Sequence, residues 1–339
     1  MHQLMHSQKR RVFFWLGVVF AITIMVLILD SHYSFSQVKE RVRIGLPLQQ
    51  QSSLAIIAAE KGFYSKEGLA VTVKEYPSGK RAVEGMLAGA VDVASTAETP
   101  IVFASFERQD FSIIASIGSS GDLMRIIARK DKGIQKPGDL RGKRIAVQKG
   151  SATHFFLHIF LLKNGLSEKD VNLSFKKVEE LPEALASGEI DAFSQREPFI
   201  GEAKGLLGDN AVVFAEPGIY FLSEEMIALN SLIKDKPEVI NRLLRSLLQA
   251  ERFAREHPDQ AIKIVSNKLK SSESEISALW NGFDFTVSLK QVIFNILEDE
   301  ARWAINSKLT DKTKVPNYLN FIYLKGLEAV KPEAVTIIR

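Results

Sequence analysis

The chain has 339 residues, 46% of them hydrophobic and 25% charged, a formal net charge of +4 and no cysteine. That length allows two lobes with cores of their own, while the missing cysteine excludes disulfides, thiolate zinc sites, thiol nucleophiles and a lipid-modified N-terminal cysteine. There is no long basic run, and without residues 1–36, which hold three basic side chains and one acid, the balance falls to +2, which argues against a nucleic-acid partner.

Lys9, Arg10 and Arg11 precede an uncharged run of 18 residues, Val12 to Leu29, that Asp30 ends. This is a targeting or anchoring segment, between the usual signal-peptide core and the roughly 20 residues that span a bilayer. Ser34-Phe35-Ser36 has cleavage spacing. Residues 1–36 therefore read either as a signal peptide or as an uncleaved anchor to the inner membrane with its basic end in the cytoplasm. Both place residues 37–339 in the periplasm or another extracytoplasmic space.

In chain order the pattern predicts a strand at Val42–Leu46, a loop over residues 47–53, and a helix at Leu54–Glu60 that Ser52 or Ser53 caps unless that hydroxyl faces a ligand. A strand follows at Ala70–Glu75, then a helix at Lys80–Leu87 capped by Ser78-Gly79. The buried strand around Val91 and Val93 runs into a helix at Ile101–Phe106, with Thr99 as N-cap and Pro100 in the first turn. A strand at Phe111–Ile117 ends in the loop Gly118-Ser119-Ser120-Gly121. This alternation predicts a parallel sheet whose strand ends meet Ser-, Thr- and Gly-bearing loops, the edge where ligands bind.

Leu123–Arg129 reads as a strand crossing into a second lobe with the same grammar: strand Arg144–Gln148, turn Lys149–Thr153, helix His154–Lys163, strand Asn172–Val178 and helix Leu181–Ala186. Val212–Ala215 and Tyr220–Leu229 return the chain, and helices follow at Glu238–Glu256, Ala261–Leu269, Glu273–Gly282, Leu289–Ile305 and Pro316–Gly326. The expected divisions are 37–122, 123–218 and 219–339: first lobe, second lobe, and the rest of the first lobe with a helical tail. One stretch is written twice. Met86-x-x-Gly89-x-Val91-Asp92-Val93-x-Ser95 returns as Leu185-x-x-Gly188-x-Ile190-Asp191-Ala192-x-Ser194. One pair at that spacing suits two similar lobes facing across a cleft rather than a solenoid.

Gly150-Ser151-Ala152-Thr153 is the best anion site, because a glycine turn aims N–H groups at one spot ahead of a helix, although the hydroxyls could merely cap that helix. Arg196 could fork onto a carboxylate or sulfonate, or pair with Glu197 or Glu98. Glu98, if it lines the cleft, suits an amine. His154 and His158 have the spacing of a metal pair but lack a third ligand in sequence, so no metal site is expected, and His154 remains a possible cleft donor. Glu179-Glu180 and Glu224-Glu225 read as solvated turn acids. No catalytic residue is assigned.

Ala59-Glu60-Lys61-Gly62-Phe63-Tyr64-x-x-Glu67-Gly68-Leu69, Gly89-x-Val91-Asp92, Glu98-Thr99-Pro100, Asp139-Leu140-x-Gly142-Lys143-x-Ile145-Ala146-Val147, Gly150-Ser151 and Leu297–Trp303 together resemble the solute-binding proteins of ABC importers for nitrate, sulfonates and taurine, relatives of the thiamine-precursor binders. The resemblance implies an α/β, two-lobed type II periplasmic-binding fold with a hinge and a C-terminal helical tail. It implies a monomer without cofactor or enzymatic activity that presents a small solute to a membrane permease. The implied contacts are the loops of Gln49 to Ser53 (Gln50, Ser52, Ser53), Ser78-Gly79, Ala97-Glu98-Thr99, Gly118-Ser119, Gly150 to His154, and Arg196-Glu197. Sulfonate-type members often have Asp where Glu98 stands and a Trp-Asp-Pro-like pattern where Arg196-Glu197-Pro198 stands, so the solute stays open. A membrane-anchored sensor, or a pyrimidine binder or enzyme on the same fold, are the alternatives.

Overall fold

The computed structural model describes residues 39–338, so the expectations for residues 1–36, signal peptide or anchor, lie outside it. Among the described residues no helix is long and apolar enough to cross a membrane. The chain opens with β1 (Glu40–Pro47), α1 (Ser53–Glu60), α2 (Phe63–Lys66), β2 (Leu69–Tyr76), α3 (Gly79–Leu87), β3 (Val93–Ala97), α4 (Glu98–Glu107) and β4 (Phe111–Ser120). It continues with β5 (Arg125–Arg129), β6 (Arg144–Val147), α5 (Ala152–Lys163), β7 (Asn172–Phe175), α6 (Leu181–Ala186), β8 (Ala192–Gln195), α7 (Phe199–Leu207) and β9 (Ala211–Ala215). The return is β10 (Leu222–Leu229), α8 (Asn230–Asp235), α9 (Pro237–Glu256), α10 (Pro258–Leu269), α11 (Glu273–Trp280), β11 (Phe283–Asp284), α12 (Val292–Asn306) and α13 (Leu324–Val330).

Two sheets result, ordered β11-β4-β10-β3-β1-β2 and β7-β6-β8-β5-β9. In the first, β2, β1 and β3 are parallel, but β10 inserts antiparallel between β3 and β4. In the second, β7, β6 and β8 are parallel and β5 runs against both β8 and β9. The expected all-parallel alternation is thus corrected to two mixed sheets, because the strands that carry the chain between lobes enter from the opposite end. The chain leaves the first sheet over residues 121–124 and returns over 216–221.

The first core joins Ile44, Val93, Ile113 and Met226 of the sheet to Ile240, Leu243, Leu244 and Leu247 of α9, whose spacing makes one apolar helix face. In the second sheet the alternation of side chains feeds two cores: Ile126 and Ile145 pack with Phe156 and Phe160 on one face, Ile127 and Phe193 with Leu181 and Leu185 on the other.

The internal repeat is a matching structural device. Asp92 accepts from Arg43 N (2.8 Å) and Nε (3.1 Å), and Asp191 accepts from Arg144 N (2.9 Å) and Nε (3.1 Å). Each arginine also donates to the repeat's glycine carbonyl, Gly89 at 3.0 Å and Gly188 at 2.8 Å. Both latches fasten a parallel strand to the turn ahead of its neighbour.

Several local expectations change. Gly118 to Ser120 belong to β4, and residues 316–326 are not one helix, since a short turn at Tyr318–Phe321 precedes α13. Helix α4 starts at Glu98 with Ala97 as N-cap, so Thr99 is inside it. Neither Ser52 nor Ser53 caps α1 by its side chain; Ser53 Oγ donates to Gln50 O at 2.5 Å instead. Ser78 does cap α3, accepting from Arg81 N. Glu224 and Glu225 are fully buried in β10, not solvated turn residues.

Candidate functional site

A small cavity lies where the strand ends of the two sheets meet. The first lobe contributes Gln49, Ser78, Gly79, Ala97, Pro100 and Lys80, the last paired with Glu84; the second contributes Gln148, Ser151, Ala152, Thr153, Gln195 and Arg196. Its free volume is about 10 Å³, near the minimum for one water, so anything larger enters only as the lobes part.

Helix starts form two of its walls. Gly79 opens α3 against β3, where a Cβ would come within 2.6 Å of Thr96 Oγ1, so the close approach requires glycine. Gly150 makes the turn before α5 at φ +67°, with Phe103 packed where a side chain would go. Ser151 occupies the N-cap position of α5 without capping through its side chain. Its hydroxyl donates to Gln148 O (2.7 Å) and lies 2.9 Å from Thr153 Oγ1. The first-turn N–H groups of α5 therefore lack a side-chain partner at the positive end of the helix.

Arg196 is buried, and its guanidinium crosses to the other lobe. Nε and Nη2 donate to Gln49 Oε1 at 3.1 and 2.5 Å, and Nη1 lies 3.9 Å from Met124 Sδ. The Gln51 amide sits 2.8 Å from Nη2 when its oxygen is the inward atom. Among the described residues no carboxylate lies within ion-pair distance of Arg196, so neither expected pairing forms: Glu197 accepts from Gly201 N, and Glu98 faces elsewhere. Burial lowers the arginine below its ordinary value, and the charge of Glu224 offsets part of this.

Glu224 lies on the same side of β10 as the cavity's first-lobe wall. Its Oε1 accepts from Ser95 Oγ, and from Ser52 Oγ at 3.3 Å, while Oε2 has no partner among the described residues. Burial pushes its carboxyl up to about 7. Glu98 accepts from Tyr220 Oη (2.7 Å) and Ser223 N (3.2 Å), and Tyr220 also reaches Glu300 at 3.4 Å. Burial drives both carboxyls well above the carboxylate range, so this pair holds a proton at neutral pH.

Of the residues singled out in the sequence, the structure brings Ser78, Gly79, Ala97, Ser151, Ala152, Thr153 and Arg196 to one cavity. Gln50 donates to Ile276 O, Ser52 and Ser53 are engaged as described, and Glu98 and Thr99 lie against Tyr220 and Glu300. Gly118 and Ser119 line a separate cavity, and Glu197 lines a groove on the outer side of Arg196. His154 is buried between Phe175 and Trp303, and Gly150 N donates to its Nδ1 at 3.4 Å. An acid does accompany the histidine pair in space: Glu168 Oε1 is 3.8 Å from His154 Nε2 and 3.3 Å from His158 Nδ1. No group of three or more potential ligands among the described residues could hold a metal. Lys80, Gln148 and Gln195 were missed; for the two glutamines a lone amide closing an apolar strand was the available signal.

A family model described as NMT1/THI5 like matches residues 49–261. A protein of Bacillus subtilis (strain 168), provisionally named an aliphatic sulfonates-binding protein, is 31% identical over 255 residues, 70% of this chain and 75% of that one. The alkanesulfonate-binding protein SsuA of Xanthomonas axonopodis pv. citri, solved with MOPS bound, superposes with a TM-score of 0.70 at 19% identity, covering 88% of this chain and 98% of that one. The desulfurization enzyme DSZB shares the fold at a TM-score of 0.57 and 16% identity, covering 86% and 99%. The fold is therefore the two-lobed periplasmic-binding type, and with the family match covering more than half of its length the chain belongs to the NMT1/THI5-like family.

Proposed function

We propose that this chain is the extracytoplasmic substrate-binding component of an ABC importer, taking a small organic anion or zwitterion such as an aliphatic sulfonate or taurine between its lobes and presenting it to a permease. The observation that carries this is Arg196: a buried guanidinium with only neutral partners, in the same cavity as the N-terminal turn of α5. A buried cation whose nearest carboxylates stay beyond ion-pair distance, with Glu224 offsetting only part of the cost, is expensive to hold. A sulfonate or carboxylate would supply that charge, take the α5 N–H groups and the hydroxyls of Ser151 and Thr153, and draw the lobes together. The named relatives support this role, and the presence of an enzyme on the same fold leaves the role to be read from the site.

The test is thermal unfolding of the full chain against alkanesulfonates, taurine, nitrate, bicarbonate and aminopyrimidines. A true ligand at ~100 times its dissociation constant adds about 2.7 kcal/mol of stability. Stabilisation by sulfonates, lost in Arg196→Ala, supports the proposal. Stabilisation by aminopyrimidines alone, or by none of these, overturns it.

A further inference from the structure

On the face of β10 opposite Glu224 lies a second, larger cavity of about 500 Å³, a volume suited to a small organic molecule. Its apolar wall comes from three elements: Phe155 and Ile159 of α5, Ile219 and Phe221 of the return segment, and Val292 and Ile296 of α12. Phe221 is 61% exposed and Val292 53%, large apolar side chains left uncovered beside a concave surface.

The polar part of this wall has a definite sense. Ser116 Oγ donates to Glu225 Oε2 at 2.7 Å, Ser223 Oγ donates to Glu225 Oε1 at 2.5 Å, and Thr286 Oγ1 donates to Asp284. A hydroxyl has one proton, so each of these three presents acceptor lone pairs alone to the cavity. Behind them Glu225 is fully buried, and among the described residues no cation lies within ion-pair distance of it. The other two acids of the wall are matched, Asp284 by Lys290 at 3.4 Å and Asp299 by Arg302 at 2.7 Å. The cavity therefore combines an apolar trough, a row of acceptors and, once Glu225 has ionised, a negative charge that no cation contacts, since the wall's Lys290 is taken by Asp284.

We propose that this cavity binds a small amphipathic amine, its ammonium donating to the Ser116 and Ser223 hydroxyl oxygens over Glu225 and its apolar body lying along Phe155, Phe221 and Val292. An ammonium offers three donors and the missing charge. An alcohol of the same shape brings one donor and no charge, and a carboxylate meets the acceptors of Ser116, Ser223 and Thr286 and the charge of Glu225, while the wall's Lys290 is already paired with Asp284.

The experiment is equilibrium dialysis of the full chain with 2-phenylethylamine, 2-phenylethanol and phenylacetate at pH 8, above the value of about 7 to which burial pushes Glu225. The amine should bind saturably and about ten-fold tighter than the alcohol, with phenylacetate weakest. Glu225→Gln should bring the amine down to the alcohol. Because Glu225 is buried and that variant could misfold, Val292→Trp, which fills the trough from an exposed position, is the second test and should abolish amine binding without changing the unfolding temperature. Equal binding of all three probes overturns the proposal. So does amine binding that Val292→Trp leaves intact, or that an alkanesulfonate displaces, since either result places the amine elsewhere.

Discussion

In the first lobe Asp92 holds Arg43 and the turn at Gly89; in the second Asp191 holds Arg144 and the turn at Gly188, with nearly the same distances. At the other end of the same strands the lobes part company. The first continues into Glu98, buried with Tyr220 and Glu300, and borders Glu224 and Glu225; the second continues into Arg196, the buried cation that reaches Gln49. The repeat thus preserves what fastens strand to turn and reverses the sign of buried charge where the strands meet the cavities. Fastening is a local demand shared by both lobes, whereas the charge answers to whatever lies between or behind them.

That asymmetry implies a steep pH dependence from the first lobe. Burial raises Glu224 and Glu225 to about 7, and raises Glu98 and Glu300 as well. Between an unfolded value near 4.5 and about 7, Glu224 and Glu225 hold protons in the folded chain that the unfolded chain has released, so stability falls as pH rises through that window, by at most about 1.4 kcal/mol per pH unit for each, and their contribution levels off above it; Glu98 and Glu300 act in the same direction. Urea unfolding at pH 5.5 and pH 8 should show the lower midpoint at pH 8, with a smaller difference in Glu225→Gln. A flat or rising profile would remove the first-lobe acids from this account.

The second lobe's cation is tested by affinity. Arg196→Ala should weaken binding of the stabilising sulfonate by about 1.5–3 kcal/mol, the scale of a hydrogen bond to a charged group, read by calorimetry. Unchanged affinity would take Arg196 out of the site.

The shared latch predicts a smaller, graded effect. The Asp191 side chain is 9% exposed and that of Asp92 25%. Asp191→Ala should cost about 2 kcal/mol and Asp92→Ala about 1 kcal/mol, because the more buried carboxylate leaves the less solvated partners behind. Equal losses measured by chemical denaturation would mean that burial does not grade the two latches.

The helix starts supply the finest contrast. Ser78 caps α3 through its side chain and Ser151 does not cap α5. Ser78→Ala should lower the stability of the unliganded protein by about 1 kcal/mol, and Ser151→Ala by a few tenths while weakening anion binding. The reverse order in thermal unfolding would assign Ser151 a structural role.

Much of this was legible in sequence because it is local. The strands and most helices follow from apolar periodicity, the Ser78 cap from a serine before a helix, and the likeness of the two lobes from a repeated Gly-x-Val/Ile-Asp pattern, although the arginines that its aspartates hold came only with the structure. Ser151, Thr153 and Arg196 were identifiable as residues able to meet an anion, since a glycine turn before a helix and a forked cation carry that chemistry wherever they fall. The antiparallel insertion of β10 was not legible: a strand's pattern states which faces are buried, not which neighbours it takes. Glu224-Glu225 looked solvated for the same reason, as two adjacent acids are buried only where both faces of a strand are covered. Only the tertiary structure decided that Glu98 turns away toward Tyr220, that Arg196 meets a glutamine, and that two cavities lie on opposite faces of one strand. The sequence by itself settled the elements and the chemistry available to them, because dihedral preference and apolar spacing act over a few residues; which groups face one another was decided by packing between segments a hundred residues apart, where burial and partner set the charge.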